Sequence, residues 1–591
     1  MKLYHFLLFI TLLGCKTTDQ TFSFGETIEL AFKGPETSET ANDNPFLNYR
    51  LEVEFSNGND NQTIRGFYSA DGNAAESSAE SGNIWKVRYL PPTSGKWTYK
   101  AKLLHGENIA INLNEDAAQI ELSNESGAFV IDKRGMTKEG LIGRGVMQVK
   151  NGYLQFPESN EYMIKVGANS PENFLAFADF DQTYRIEGES REGESKTNLE
   201  IHSYTDHVTD WQKGDPTWKQ GKGKGIIGAV NYLASKGMNS IYFLTFNTTG
   251  DGRDVWMYND PQDFSRFDVS KLEQWEILFK HMQAKGIILH FVLQETENET
   301  LLDNGNTGPE RKLYLLELIS RFGHHPAIIW NIGEENGPNN WSKSAQTDAQ
   351  RKDMINFIKQ NDPYKHPVVI HTLPNNPDRN EVLLPLQDLQ TLDGISLQDH
   401  APNEVNESIK SYREVSKGRW FVSMDEIGPW HTGALADTVP ANHQTLMREV
   451  LWGTLLAGGG GVEWYFGAKQ TYNDLTSESW KVRDHLWTIT NHAKVFFQTN
   501  LPYHEMSALE GMVDYGYAFG KKDEIYTFYL FANQAQSLNL TEVTGSYKAQ
   551  WFNPNTGGMV ENAENIEIGS IVELSVSPFK NSDVVLLLKR K

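Results

Sequence analysis

One stretch constrains the fold more than any other: Ala327-Ile328-Ile329-Trp330-Asn331-Ile332-Gly333-Glu334-Glu335-Asn336, an apolar run that stops abruptly at two acids. Bounded by Pro326 and Gly333, a run this short fits a strand buried on both faces, although periodicity alone also allows a buried helix. Adjacent glutamates and asparagines at its end are costly to bury without partners, so the run is expected to open into a polar cleft or to be capped there. Trp420-Phe421-Val422-Ser423-Met424 repeats the design and ends in Asp425-Glu426. In a parallel barrel all strands point the same way, so groups at their C-terminal ends converge on one face. Two carboxylates meeting there can divide the acid and nucleophile roles on a glycosidic bond.

The chain around these runs alternates strand and helix. Strands are predicted at 162–167, 240–246, 287–293, 327–332, 368–370, 394–397, 420–424 and 461–465. Helices are predicted at 226–236, 268–285, 309–322, 346–360, 406–416, 443–456 and 480–497. Eight strands in this pattern make a (β/α)8 barrel, with a doubly wound open sheet as the weaker alternative. Half-buried strands such as Tyr49-Arg50-Leu51-Glu52-Val53-Glu54-Phe55 and Trp85-Lys86-Val87-Arg88-Tyr89 precede it, and Ile525-Tyr526-Thr527-Phe528-Tyr529-Leu530 and Val584-Val585-Leu586-Leu587-Leu588 follow it. With 591 residues the chain exceeds one ordinary core. The expected fold is therefore multidomain: a β-sandwich over 22–135, a central α/β TIM barrel over 136–502 and a second β-sandwich over 503–591. The Ser-, Ala- and Glu-rich stretch 73–83 is expected to be a mobile loop, and the long connection between Glu172 and Gly225 to shape specificity.

Met1-Lys2, the apolar Leu7-Leu8-Phe9-Ile10-Thr11-Leu12-Leu13 and then Gly14-Cys15 have the charge and length of a secretory signal rather than of a membrane span. Cys15 is the sole cysteine, which excludes a disulfide within the chain. Gly14-Cys15 resembles the lipidation site of a bacterial lipoprotein, with 1–15 as signal and lipidated cysteine and 16–21 as tether. Lys16 resembles the following residue in proteins sent to the outer membrane, facing the periplasm or the cell surface. A formal charge of −23 with no concentrated basic surface argues against a nucleic-acid partner, and makes a strongly anionic substrate less natural. The membrane is expected to be met through the lipid only.

Trp330-Asn331-Ile332-Gly333-Glu334-Glu335 resembles the fourth-strand end of clan A retaining glycoside hydrolases, and Ser423-Met424-Asp425-Glu426-Ile427-Gly428 the seventh-strand nucleophile segment. The resemblance places Glu335 on the acid/base and Glu426 on the nucleophile. Glu334 stands where the family usually has Asn, a departure at the position that reads the sugar 2-hydroxyl. The layout also resembles apiosidase-like bacterial glycoside hydrolases, which join an N-terminal immunoglobulin-like domain of unknown function, a barrel, and a C-terminal domain named as a collagen-binding domain of a collagenase. Asn44-Pro45-Phe46, Gly66-Phe67-Tyr68 and Gly95-Lys96-Trp97-Thr98-Tyr99 carry the first match, and Ala549-Gln550-Trp551-Phe552-Asn553-Pro554-Asn555-Thr556-Gly557 the last. Collagen binding does not transfer with that name.

Other strand-end residues are candidates for substrate contact: Glu172, Asn247, Asp251, Arg253, Trp256, Glu295, Glu334, His371, Asp399, His400, His431 and Trp464. Asn247 to Trp256 could equally brace their own loop, and Trp464 could equally be a core indole. Gly250-Asp251-Gly252-Arg253-Asp254 lacks the ligand series of a calcium loop, and His324-His325 precede the fourth strand at the structural end of the barrel. No metal and no cofactor are expected. The leading expectation is a retaining hydrolase of plant or algal polysaccharides or oligosaccharides. A non-catalytic carbohydrate- or matrix-binding lipoprotein is the alternative, and a polysaccharide lyase is weaker.

Overall fold

A computed structural model describes residues 20–133, 140–187, 201–339, 342–428, 430–532, 534, 536–561, 566–574, 579 and 582–591. The signal segment, Cys15 and most of the tether lie outside the described residues. No helix among the described residues is long and apolar enough to cross a membrane.

The centre is a closed barrel of eight parallel strands: β1 (Lys165–Ala168), β2 (Ser240–Leu244), β3 (Ile288–Val292), β4 (Ile328–Asn331), β5 (Val368–His371), β6 (Gly394–Asp399), β7 (Phe421–Ile427) and β8 (Gly461–Trp464). Pairing of β8 with β1 closes it, Lys165 opposite Gly461 through Ala168 opposite Trp464. A helix follows each strand, at Lys224–Ser235, Val269–Ala284, Pro309–Phe322, Asp348–Asn361, Asn376–Leu383, Val405–Val415, 440–456 and Asp484–Asn500. Local chemistry sets the boundaries. Asp268 accepts from the Lys271 amide at the start of one helix, and Thr347 with Gln350 forms a reciprocal capping box at another. Gly286, with φ of +86°, turns the chain from Val269–Ala284 into β3.

The barrel interior is polar at its base. Lys165 Nζ lies 2.8 Å from Asp425 Oδ2 and 3.0 Å from Glu463 Oε2, and His290 Nδ1 lies 2.8 Å from the same Glu463 oxygen. Ser423 and Ser240 donate to Asp425 and Glu463, and all four charged or ring-bearing side chains are fully buried. Each polar atom there needs a partner because water is excluded.

Two N-terminal sheets precede the barrel, antiparallel except where Gln20–Ser23 runs parallel to Ser126–Asp132. One runs Gln20–Ser23, Ser126–Asp132, Gly95–His105, Tyr49–Ser56, Asn61–Arg65, with Ala118–Ile120 on Gly95–His105; the other runs Ile28–Ser38, Ser81–Tyr89, Phe67–Tyr68. Trp85, Trp97 and a Phe55–Tyr89 stack with ring centroids 4.1 Å apart fill their core. Arg88 Nη2 donates to Glu273 Oε2 at 2.8 Å and Arg321 Nη2 to the Tyr68 carbonyl at 2.7 Å, joining sheet and barrel helices. A six-stranded antiparallel sheet and a two-stranded one close the chain, and Trp452 of the barrel packs on Tyr529 of the larger sheet at 5.1 Å.

Two sequence expectations are corrected. The stretch 73–83 is not an unattached loop: Ala74–Ser77 is a short helix with Ala74 and Ala75 buried, and Gln274 Nε2 donates to the Ala75 carbonyl at 3.2 Å. Its small residues are what allow close approach to the helix Val269–Ala284. The strand predicted at 162–167 is divided at Ile164: Glu161–Met163 pairs with Tyr153–Phe156 outside the barrel, and β1 begins at Lys165.

Candidate active site

Glu335 follows β4 and Glu426 ends β7, and one amide joins them. Gln398 Nε2 donates to Glu335 Oε1 at 3.0 Å and to Glu426 Oε1 at 2.7 Å. The two Oε1 atoms are therefore no further apart than the sum of those bonds, about 5.7 Å, an approach compatible with the roughly 5–5.5 Å carboxyl separation of a retaining pair. Gln398 reaches both because β6 carries a register shift between Leu397 and Gln398, which sets it opposite Glu426. Glu335 itself sits at φ of +44°, a left-handed conformation that costs a glutamate on the order of 1–3 kcal/mol and is held by its surroundings.

Beside this bridge, ligand-capable atoms of Glu334, His371 and Glu426 lie within 4.8 Å of one another. Glu334 Oε2, His371 Nε2 and Glu426 Oε2 are buried and form no hydrogen bond, with His371 Nε2 3.5 Å from Glu426 Oε2. The other face of the imidazole is held by the Tyr242 hydroxyl, 2.9 Å from Nδ1. Burial, with His290 and Lys165 nearby, pushes His371 down to about 3, so the ring is neutral. Nε2 faces the pocket, so the spot offers a ring nitrogen and two carboxyl oxygens to a guest.

Further acids surround it. The Glu172 amide after β1 donates to Asp474 Oδ1 at 3.3 Å, and the Asp251 amide donates to Glu295 Oε1 at 2.7 Å. Ligand atoms of Glu172, Asp251 and Glu295 also lie within 4.8 Å of one another, so this trio and the Glu334, His371, Glu426 trio are, among the described residues, the places at the mouth that could hold a cation. Burial and then mutual repulsion push Glu172, Glu334 and Glu426 well above the usual carboxylate range. Burial raises Glu335 to about 7 and Asp474 to about 6.

These raised values make the mouth a burden on stability at neutral pH. A carboxyl whose folded pKa exceeds its unfolded one contributes stability that is complete below the unfolded value and is lost as pH rises through the folded one. The unfolding temperature is accordingly expected to fall between about pH 5 and pH 8, through the windows of Asp474 and Glu335. Glu334→Gln, which removes one buried acid from the cluster, is expected to flatten that slope and raise the unfolding temperature at pH 8. Thermal melts across the pH range check both, and a variant melting below the parent at pH 8 would contradict the reading.

The other candidates divide. Asn247 braces its own loop, donating to the Asp251 carbonyl at 2.8 Å and accepting from the Asp254 and Val255 amides. Arg253 is buried in the same loop with φ of +55°. Trp256 is buried against Tyr184 and Lys271, and Trp464 is fully buried with its indole donating to Thr490 Oγ1 at 2.9 Å. Neither indole offers an open face for stacking, because the helices behind β2 and β8 close over them. Asp399 is also turned away, held by Ser408 and by Arg379 Nη1 at 3.2 Å. His400 and His431 are exposed on loops, the latter beside an exposed Trp430. His324 and His325 both meet Glu276, at 3.2 and 3.0 Å, before β4.

Gln398, Tyr242, Asp474 and Tyr465 are the residues that sequence reasoning missed. Burial, and then the charges of Glu426 and Asp474, raise the Tyr465 phenol, which donates to the Trp430 carbonyl at 2.9 Å. Gln398 and Tyr465 each adjoin a residue flagged at a strand end, so a one-residue shift separates the guess from the structure.

Comparison with known proteins bears on the fold. Residues 25–103 match the family described as Domain of unknown function (DUF5060). A candidate glycoside hydrolase from Bacteroides vulgatus ATCC 8482 superposes over 97% of this chain and 100% of its own, at 15% identity and a TM-score of 0.62. The chain shares its barrel fold with structures described as glycoside hydrolases. A glycoside hydrolase family 5 structure from the same organism covers 76% of this chain and 94% of its own, at 15% identity and a TM-score of 0.51. A further structure named only as a glycoside hydrolase covers 77% and 99%, at 12% identity and a TM-score of 0.51. No curated protein matches the sequence. At these identities the likeness is one of fold.

Proposed function

We propose that this protein is a retaining glycoside hydrolase in which Glu426 is the nucleophile and Glu335 the acid/base. The observation that carries the reading is the shared Gln398 amide, which keeps the two carboxyl oxygens within about 5.7 Å. Burial and mutual repulsion favour one negative charge on the pair. The shorter amide bond and the neighbouring His371 Nε2 favour its residence on Glu426, against the burial that raises this acid as well. Glu335, raised to about 7, keeps its proton for the leaving oxygen.

In the first step a Glu426 oxygen attacks the anomeric carbon while the bond to the leaving oxygen breaks and Glu335 protonates that oxygen. The product is a glycosyl ester of Glu426. With Glu426 neutralised, Glu335 takes a proton from water, the water oxygen displaces the Glu426 carboxylate, and both groups return to their starting states. Glu334 and His371 would meet the ring substituent next to the reacting carbon, the imidazole through a ring nitrogen and the carboxyl through an oxygen. The excess of carboxyls at the mouth favours a neutral sugar. Plant or algal polysaccharide fragments are the substrate class the family resemblance suggests, and attachment through a lipid on Cys15, in an outer membrane, is the location proposed with it.

Cleavage of a defined oligosaccharide followed at once by NMR tests the reading: the first-formed product is expected to keep the anomeric configuration. Inversion would overturn it. The rate is expected to fall as pH rises through about 7, where Glu335 loses its proton. On a substrate with a good leaving group, Glu335→Ala is expected to abolish that alkaline limb while losing little rate in the first step. A pH–rate profile with an unmoved limb would assign the titration to another group.

A further inference from the structure

Among the described residues, four groups of three titratable side chains bring ligand-capable atoms within 4.8 Å of one another, and they differ in what those atoms already hold. His290, Asp425 and Glu463 share the Lys165 ammonium. Both oxygens of Glu276 are bonded to His324 and His325, and the Arg88 guanidinium lies 3.6 Å from one of them. A cation therefore already serves each of these two groups. Glu172, Asp251 and Glu295 offer oxygen alone.

Glu334, His371 and Glu426 are different. Glu334 Oε2, His371 Nε2 and Glu426 Oε2 are each buried and each without a hydrogen bond. Three unspent polar atoms converging in one dry spot are costly, and a single ion that binds them all removes the cost. The spacing fits such an ion. His371 Nε2 and Glu426 Oε2 stand 3.5 Å apart. Two donors each about 2.1 Å from one tetrahedral ion lie about 3.4 Å from each other, so this separation is an edge of that coordination shell. Each side chain is also held from behind: the Tyr242 hydroxyl lies 2.9 Å from His371 Nδ1, and Gln398 donates to Glu426 Oε1 at 2.7 Å. Partners of this kind are what orient metal ligands.

We propose that Glu334, His371 and Glu426 bind a divalent transition-metal ion, with zinc as the fitting ion, and that the bound ion inhibits the enzyme reversibly by occupying the nucleophile and the sugar site together. One imidazole and two carboxylates are a zinc donor set, whereas calcium and magnesium select oxygen alone. The two carboxylates also match the charge of the ion. In the bound form Nε2 gives its lone pair to the metal, Nδ1–H donates to the Tyr242 oxygen, and protons held by the carboxyls leave to solvent. The inhibition rests on the hydrolase reading; the binding does not.

The test uses the full chain, stripped with EDTA, freed of chelator and titrated calorimetrically with zinc chloride or, separately, magnesium chloride. One tight zinc site per chain is expected, with magnesium bound at least about 100-fold more weakly. Tyr242→Phe, which leaves every ligand in place, is expected to weaken zinc by about 10–100-fold, and Glu334→Gln and His371→Gln at least as much. On a cleavable oligosaccharide, zinc is expected to raise the apparent KM with kcat unchanged, and EDTA to reverse the effect. No zinc binding by the parent overturns the proposal and leaves the hydrolase reading standing. Parent affinity in Glu334→Gln overturns it by placing the ion elsewhere, as at Glu276, His324 and His325, and so does equal affinity for magnesium. Zinc that lowers kcat with KM unmoved overturns the inhibition. Absence of hydrolysis strikes the catalytic reading instead, and calorimetry still decides the binding.

Discussion

Glu426→Ala is expected to lower kcat by roughly 10⁴–10⁶-fold, the range seen when a nucleophile is removed. The carboxylate is buried at the end of β7, and among the described residues no other carboxyl shares Gln398 with Glu335, so none stands in for it. Two companions make the experiment specific. Azide supplied to Glu426→Ala is expected to occupy the vacated space and restore turnover to a glycosyl azide. Gln398→Ala, which leaves both carboxyls in place but unties them, is expected to cost only about 10–100-fold, a positioning effect. Turnover of the true substrate that survives Glu426→Ala would remove Glu426 as the nucleophile, whereas no hydrolysis by the parent across a glycan panel would favour the non-catalytic, carbohydrate-binding alternative.

The second large effect lies below the pocket. Lys165→Met is expected to destabilise the protein by about 3–5 kcal/mol, because it strips the counter-ion from Asp425 and Glu463 in a fully dry layer. Asp425 immediately precedes Glu426, and its carbonyl accepts from Asn169 Nδ2 at 2.8 Å, so the loss should also loosen the nucleophile's backbone. Burial alone predicts that Lys165→Met/Glu463→Gln recovers part of the loss, since the second change removes one of the stranded charges. Urea unfolding of the single and double variants measures the coupling, and equal stabilities for the two would remove the argument. That His290 contacts the same Glu463 oxygen makes it the third member to test.

The barrel was legible because its evidence is local. Each strand is a short apolar run closed by turn residues, two helices carry their own side-chain caps, and the order of units leaves a closed barrel as the stronger of two architectures. The division at Ile164 escaped notice because apolar Met163, Ile164 and Val166 read continuously across two different sheets. The aromatic candidates show the complementary failure. Trp464 reads as a platform or a core indole with equal ease and is sealed by Thr490 on the last helix, whereas Trp430, which was not singled out, is 42% exposed on the loop after β7.

What the chain determined by itself was the positions of Glu335 and Glu426 at two strand ends of one barrel face, since strand direction and side-chain alternation are properties of neighbouring residues. Only the tertiary structure decided which groups meet them. Gln398 joins the pair through a register shift in β6, His371 is oriented by Tyr242 from β2, and Asp474 comes from the loop after β8. Each of these contacts spans dozens to hundreds of positions along the chain, and closure of the barrel is the physical event that brings them within a hydrogen bond of one another.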